Sequence, residues 1–375
     1  MDLKMEVYSP ALDLLGILEA YTSLLVSDQA FRAGDFTLDA PLTAESRDLL
    51  VPDNIIWFYG DTAGIVEYRQ MVVQEDGNIT LSVKGSLLSG LLRRRVLWGL
   101  YNFCDSPSAI LRMCVTQSAI SPTRGDNLAA RKIPNLTLAD SAEVTDTREI
   151  RKQSTGAGLY DIISDVAKAT NTAFGVRFDP ANLKMVFWTR VGVDRTIQQS
   201  GVDPVLYSTE LDDVLTSDYA YNASEYKNLA LVAGEGDGAA RVSTAVSVAD
   251  TAAGFARREL FVDARDLQKN TDAEHPLTDE EYTETLQTRG RERLAQYLLV
   301  ESFGATVRTV NPTYEYGRDF FLGDTITVTD DRLGLSVNAV VEGIERSFGA
   351  SGEDFTMTVG YSQPTIFEKL RKAGT

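Results

Sequence analysis

The sequence predicts an α+β, multi-domain chain built on two antiparallel β-barrels with α/β insertion domains. Short apolar segments separated by tight turns fill the first hundred residues. A weaker copy of one of those hairpins returns near the C-terminus, and helical periodicity is concentrated between the two. At 375 residues the chain is too long for one ordinary core, and 43% hydrophobic content with a mean hydropathy of −0.13 is a folding composition. The expected partition is a first barrel over 1–104, an α+β domain over 105–204, and a second barrel made of 205–255 and 310–362. A helix-rich insertion over 256–309 interrupts that barrel, and a closing helix lies within 363–375.

In the first barrel, Leu14 to Leu18, Tyr21 to Asp28 and Phe36 to Leu42 read as short strands, with Gly34-Asp35 as a turn. The stretch from Asn54 to Trp98 organises the chain. Asn54-Ile-Ile-Trp-Phe-Tyr59 is an apolar strand and Gly60-Asp-Thr-Ala-Gly64 a turn. Ile65 to Val73 returns, Glu75-Asp-Gly-Asn78 turns again, and Ile79-Thr-Leu-Ser-Val-Lys84 alternates with period two. Ser86 is placed to cap a helix carrying Leu87, Leu88, Leu91, Leu92 and Val96. Arg93-Arg-Arg95 on that helix must spread around its circumference, as a solvated or interface cluster.

Ser106-Pro-Ser108 starts a helix through Ile110, Leu111 and Cys114, and Ala139 to Lys152 reads as exposed loop. Leu159, Ile162, Ile163, Val166 and Ala169 make an amphipathic helix. It leads into Phe174-Gly-Val-Arg-Phe178, the turn Asp179-Pro-Ala-Asn182 and Leu183-Lys-Met-Val-Phe-Trp188. That turn lacks the ligand spacing of a calcium loop. Strands resume from Val205 to Val248, with Gly234-Glu-Gly-Asp-Gly238 as a hairpin tip. No Gly-Lys-Ser/Thr follows it, and its two acids would repel phosphate. Thr278 with Glu281 forms a capping box for a long helix bearing Tyr282, Leu286, Leu294, Tyr297 and Leu298, with Gly290 in its middle. Strands follow over Thr306 to Asn311, Phe320 to Leu322, Thr325 to Thr329, Val337 to Ile344 and Phe355 to Tyr361. Pro364 ends the last of them, and Ile366 to Ala373 forms the closing helix.

The internal echo sets Ile65-Val-Glu67 against Val340-Val-Glu342, Ile79-Thr-Leu-Ser-Val83 against Phe355-Thr-Met-Thr-Val359, and Ser86 against Ser362. Two hairpins can share composition by chance; if the echo is a duplication, the chain holds two related barrels.

Composition and spacing exclude several chemistries. Lys plus Arg number 36 against 54 Asp plus Glu, a net charge of −18 that argues against a DNA-grasping surface. The charge confers solubility, or part of it lines a channel through which DNA slides without sticking. Cys104 and Cys114 read as buried thiols in a reducing compartment. The N-terminus has no signal-peptide pattern, and no apolar run reaches membrane-spanning length. The one histidine, His275, rules out a His-x-x-x-His metal site, and there is no Cys-x-x-Cys pair or Gly-x-Ser-x-Gly elbow. Paired carboxylates such as Asp319 with Asp324, or Glu342 with Glu345, sit in strand and turn patterns without a mark of catalysis. Trp57, Trp98 and Trp188 fall in apolar segments and read as core. No catalytic, cofactor-binding or metal-binding residue is assigned, and no cofactor is expected.

Asn54-Ile-Ile-Trp-Phe58, Gly64-Ile-Val-Glu-Tyr68 and Gly85-Ser-Leu-Leu-Ser-Gly-Leu-Leu-Arg-Arg-Arg-Val96 resemble the N-terminal region of siphophage tail-tip (baseplate) hub proteins. Tyr207-Ser-Thr-Glu210, Tyr226 to Gly236, Arg257 to Arg265 and Tyr316 to Asp324 fit the same resemblance. That family includes the hub domains of tail-associated lysins and tail spikes, and shares a fold with the baseplate hub of contractile-tailed phages. The resemblance implies tail-tube-like barrels and a non-enzymatic homotrimer whose six barrels match a sixfold tail tube. It further implies contacts with the distal tail protein, the tape-measure protein and tail fibre or receptor-binding proteins. DNA would be present only in transit, there would be no stable membrane insertion, and the protein would be a virion component made in the host cytoplasm. Some hubs of the family carry a cell-wall-cleaving domain after the hub region, for which a chain ending at Thr375 leaves no room. The alternatives are a cell-wall hydrolase, tested by zymography, and a polysaccharide receptor-binding module, tested by glycan binding to a monomer.

Overall fold

The computed structural model describes residues 3–73, 79–142, 147–211, 214–248, 253–270, 276–307, 313–350 and 352–360. The N-terminal part contributes β1 (Met5–Tyr8), β2 (Leu14–Leu18), β3 (Ser23–Gln29), β4 (Asp35–Pro41), β5 (Ile55–Tyr59), β6 (Thr62–Val73) and β7 (Ile79–Leu87), with α1 (Ala44–Leu49) before β5. The middle carries β8 (Leu100–Asp105), α2 (Pro107–Val115), β9 (Leu136–Leu138), β10 (Ile150–Thr155), α3 (Leu159–Thr170), β11 (Thr172–Asp179) and β12 (Lys184–Val191). The rest comprises β13 (Leu206–Ser208), β14 (Val214–Asn222), β15 (Leu229–Ala233), β16 (Ser243–Ser247), β17 (Glu259–Asp263), α4 (Asp279–Ala295), β18 (Val300–Val307), β19 (Thr325–Asp330), β20 (Leu335–Gly349) and β21 (Gly352–Gly360).

The chain is α+β with strands dominant, but the two expected barrels do not stand apart. Among the described residues one large sheet runs β14-β18-β21-β20-β3-β4-β7-β6-β5-β1-β2, with β19 and β13 branching from β20, and no sheet closes on itself. The sheet is continuous because β20 is long. Its first part pairs with β19, and its second part lies between β21 and β3. A strand of 15 residues can serve two neighbours on one side in succession, which joins the halves that the sequence suggested were separate. Alternation on β4 buries Phe36, Leu38 and Ala40, and on β7 it buries Leu81 and Val83, forming one core with Val26, Val66 and Phe58. A larger core runs beneath α2, α3, β11, β12 and the C-terminal strands.

Several local expectations change. Ser86 does not cap a helix, because β7 runs through Leu87 with Ser86 paired to Asp35 and Ile65; a short 3-10 helix, Leu88–Arg94, follows. Strand pairing wins there over local helical spacing. The segment Ala139 to Lys152 is not wholly exposed loop: β10 pairs with β8 and buries Lys152 and Gln153. β15 and β16, expected in the second barrel, pair instead with β17 and pack under α4 as a separate core. Gly290 belongs to that packing, since an added Cβ would lie 2.8 Å from Val232 and 3.1 Å from Val246. Phe320 to Leu322 makes only an isolated bridge from Phe320 to Tyr316. His275 and the expected closing helix at 363–375 lie outside the described residues.

Candidate assembly interface

The sheet order contains a tandem repeat. β3-β4-β7-β6 and β14-β18-β21-β20 are four-stranded units with the same internal order, laid side by side so that β20 of the second meets β3 of the first. The equivalence holds at single residues. In the first unit, Val66 accepts from Asp53 N at 2.8 Å and donates to the carbonyl of Asn54 at 2.9 Å, while Asn54 N reaches the carbonyl of Val51. In the second, Val341 accepts from Gly323 N at 2.9 Å and donates to the carbonyl of Asp324 at 2.8 Å, while Asp324 N reaches the carbonyl of Phe321. Asp53 and Gly323 both hold positive φ, 70° and 89°. Ile55 pairs with Ile65 as Thr325 pairs with Val340, and both ladders then slip, at Glu67 and at Glu342. The echo of Ile65-Val-Glu67 in Val340-Val-Glu342 is therefore a structural one. Beyond the bulge the proposed alignment shifts by two: Lys84 and Gly85 hold the places of Thr358 and Val359, so Val83 corresponds to Met357.

At the join inside the chain, Gly343 to Phe348 pairs with Gln29 back to Leu24, and Ala30 N donates to the carbonyl of Glu342. Arg346 lies there with its guanidinium 5.1 Å from the Tyr59 ring and 5.5 Å from that of Phe355. The equivalent edge of the first unit, Glu67 to Val73, has no strand beside it among the described residues, because β5 covers only Thr62 to Ile65. At the far end of the sheet, β14 likewise pairs only with β18. Both edges expose apolar side chains. Met71 is 46% accessible and Val73 70%; on β14, Leu215 and Tyr221 are 50% and 61% accessible.

A cleft of about 590 Å³ lies between the first unit, the middle domain and the second unit, lined by Asp28, Asp61, Arg177, Trp188, Arg190 and Tyr316 among others. Burial pushes the Asp28 carboxyl up to about 6 against the bond it accepts from Gln29 N. Behind this cleft Asp324, fully buried, accepts from both terminal nitrogens of Arg190, from Arg195 Nε at 2.9 Å, from Val193 N at 2.8 Å and from Phe321 N at 3.1 Å. It ties the segment after β12 to the turn before β19. The insertion docks by Lys152, whose Nζ reaches Glu292 Oε2 with both side chains buried, and by Arg151, which meets Glu281 and Glu284.

Of the other residues singled out in the sequence, Asp319 pairs with Arg318, while Asp324 is enclosed by Arg190 and Arg195. Glu342 is the bulge residue, and Glu345, its pKa raised by burial, lies on the joining strand. Among the described residues no three His, Cys, Asp or Glu side chains gather as a metal site would require. Cys114 is buried and its thiol is pushed up to about 12, but Cys104 is exposed, because alternation on β8 turns Tyr101 and Phe103 inward. Trp57 and Trp188 are half-buried and Trp98 is exposed beneath the Arg131 guanidinium, so none is full core. Arg93, Arg94 and Arg95 diverge to the Tyr160 ring, to Asp53 and to the carbonyls of Arg131 and Lys132. Asp179 caps its own hairpin turn through Asn182, and Gly234 to Gly238 spans the tip between β15 and β16. Pairing of barrel edge strands between neighbouring chains was expected from the family pattern, but the sequence did not identify which edges are open. Their signal was apolar residues on strands with no room for them in either core.

The fold is one found in phage tail proteins. The 43 kDa tail protein of prophage MuSo2 from Shewanella oneidensis superposes with a TM-score of 0.55 at 14% identity, over 96% of this chain and 98% of that one. A tail protein from Neisseria meningitidis MC58 gives 0.55 at 11% identity over 96% and 97%, and prophage tail protein gp18 from Listeria monocytogenes EGD-e gives 0.52 at 12% over 99% and 98%. Residues 4–361 match the family described as Siphovirus ReqiPepy6 Gp37-like protein, and the chain belongs to that family. No curated protein sequence matches it. Family membership makes it a virion component, and among the described residues no helix is long and apolar enough to cross a membrane.

Proposed function

We propose that the protein is the structural hub of a siphophage tail tip: a homotrimer whose three chains contribute two tube-like units each to a ring that extends or caps a sixfold tail tube. The observation that carries this reading is the tandem repeat, because a chain with two equivalent units gives a threefold object six equivalent positions. The repeated units are the counterparts of the barrels expected at 1–104 and at 205–255 with 310–362. Residues 105–204 stand between them, and the insertion expected at 256–309 begins earlier, at Leu229. In this role the hub seats the distal tail protein and the end of the tape-measure protein, carries tail fibre or receptor-binding proteins, and lets DNA pass through its channel. The net charge of −18 suits a channel that does not hold DNA. The work is assembly and opening, with no bond chemistry. Light scattering coupled to gel filtration, with negative-stain imaging of the same fraction, is expected to give a trimeric ring with a central hole. A monomer, or a compact particle without a hole, would refute the hub.

A further inference from the structure

The join between the two units inside one chain also supplies a template for the join between chains. The ladders β4–β7 and β18–β21 place Phe36 and Phe303 in equivalent positions, through their partners Gly85 and Val359. The ladders β3–β4 and β14–β18 then make Val26 equivalent to Tyr219. With Glu67 equivalent to Glu342, the strand pairing seen at the join carries over directly. Gly343 opposite Gln29 becomes Tyr68 opposite Asn222, and Phe348 opposite Leu24 becomes Val73 opposite Ser217.

We infer that Tyr68 to Val73 of one copy adds to β14 of a second copy as an antiparallel neighbour, in the register Arg69–Tyr221, Gln70–Ala220, Met71–Tyr219 and Val72–Asp218. This rests on the hub reading and names the contact that builds its ring. Side-chain faces agree with it. Arg69, Met71 and Val73 pair with Val83, Leu81 and Ile79, and so lie on the face where Leu81 and Val83 enter the first unit's core. Tyr219 and Ser217 pair with Phe303 and Ala305 and so lie on the face of the second unit's core. The added strand therefore extends one apolar ladder, Met71–Tyr219–Phe303–Val359, across the boundary. A slip of one residue would turn Met71 and Val73 to the wrong face. Arg69 comes beside Tyr221, itself opposite Glu301, so a cation meets an aromatic ring and a carboxylate. The pairing also covers two backbone edges that otherwise invite uncontrolled association. Each copy has one edge of each kind, so the contact is head-to-tail and generates a ring when its rotation closes.

Paired cysteines test it in the full chain carrying Cys104→Ser. Met71→Cys with Tyr219→Cys, and separately Gln70→Cys with Ala220→Cys, place thiols on adjacent rungs. One rung of any such pair is the close, non-hydrogen-bonded kind that suits a disulfide. Positions 71 and 219 lie on β6 and β14, with six strands between them in one chain, so any bond joins two copies. Mild oxidation is expected to give covalent dimers and then a closed covalent trimer from at least one pair, and loss of that product with Met71→Cys plus Asp218→Cys. Met71→Lys with Val73→Lys, both exposed in the single chain, is expected to abolish the trimer while leaving far-UV circular dichroism unchanged. A trimer by light scattering that forms no in-register disulfide, cross-links equally off register, or survives the paired lysines would overturn the strand pairing and leave the hub standing. A mixed disulfide to a co-expressed tail protein in place of the self-product would also overturn it. A wild-type chain that stays monomeric would overturn the pairing and the hub together.

Discussion

Replacing Asp324 by alanine should weaken the protein more than any other single change at the boundary between the middle domain and the second unit. The carboxylate is fully buried and receives five hydrogen bonds, three from guanidinium groups and two from backbone amides. Removing it takes a buried carboxylate away from the Arg190 guanidinium, whose side chain is 5% exposed, and from Arg195, which has little solvent. Arg190 cannot swing freely to water, because its guanidinium lies 4.4 Å from the centre of the Phe321 ring. Breaking one side of a buried ion pair costs about 3–5 kcal/mol, and the two amides raise the cost toward the top of that range. Asp324→Asn keeps the shape and one acceptor, and should cost about 2–3 kcal/mol. Urea unfolding followed by the fluorescence of Trp188, which lines the same cleft as Arg190, reads the loss. With a slope of about 2–3 kcal/mol/M, the alanine midpoint should fall by about 1.5 M at unchanged slope. Asn54, at the equivalent turn of the first unit, makes one side-chain bond, to the carbonyl of Leu49; Asn54→Ala should cost only about 1–2 kcal/mol. A loss below about 1 kcal/mol for Asp324→Ala, or an equal loss at both turns, would refute the argument that the arginine clasp holds this boundary.

Asp28→Asn should stabilise the protein at neutral pH. The native carboxyl titrates near 6 against an ordinary 3.8, so the folded state binds the extra proton between those values and stability falls as pH rises through them. The residue is half-buried by surface area, which discounts the full linkage to about 2 kcal/mol, and the variant's urea midpoint should be flatter than wild type between pH 4 and pH 7. At the docked insertion, Lys152→Met alone should cost about 3 kcal/mol by leaving buried Glu292 with only Arg289 Nε, 4.0 Å away, as a cation, whereas Lys152→Met with Glu292→Leu should recover most of it. A double variant as weak as the single one, by thermal or urea unfolding, would show that the pair contributes more than mutual neutralisation.

Much of the strand content was legible because period-two alternation and Gly or Asp turns act locally. The Ser106 cap, the Thr278–Glu281 capping box and the αL residue Asn171 that ends α3 are likewise set within a few residues. What could not be read was pairing between distant strands. β15 and β16 looked like continuations of the strands before them, yet their faces fit α4 and β17, more than ten residues further along. Ser86 had helical neighbours, but it is held by partners on two strands, Ile65 and Asp35, 21 and 51 residues away. Lys152 and Arg151 looked like loop charges because their partners lie on α4, about 130 residues later. The repeat was visible only where both copies keep the same backbone problem, the point at which β6 and β20 part from β5 and β19.

That shared problem explains which features of the duplicated unit persist. Each long strand parts from its short neighbour, β5 or β19, part-way along, and the change is marked by a bulge, Glu67 or Glu342, beside a tight turn with a positive φ, Asp53 or Gly323. Side chains can vary around this device, so Asn54 and Asp324 make quite different bonds at equivalent backbone positions. Connections vary even more. The link from β3 to β4 is a short turn, but the equivalent link from β14 to β18 carries β15, β16, β17 and α4. An insertion at a strand end leaves the ladder intact and adds only a slowly growing closure entropy. An insertion within β6 or β20 would shift every side chain beyond it to the wrong face. Divergence is thus confined to the ends of strands, and the central sheet keeps the repeated register on which the proposed ring rests.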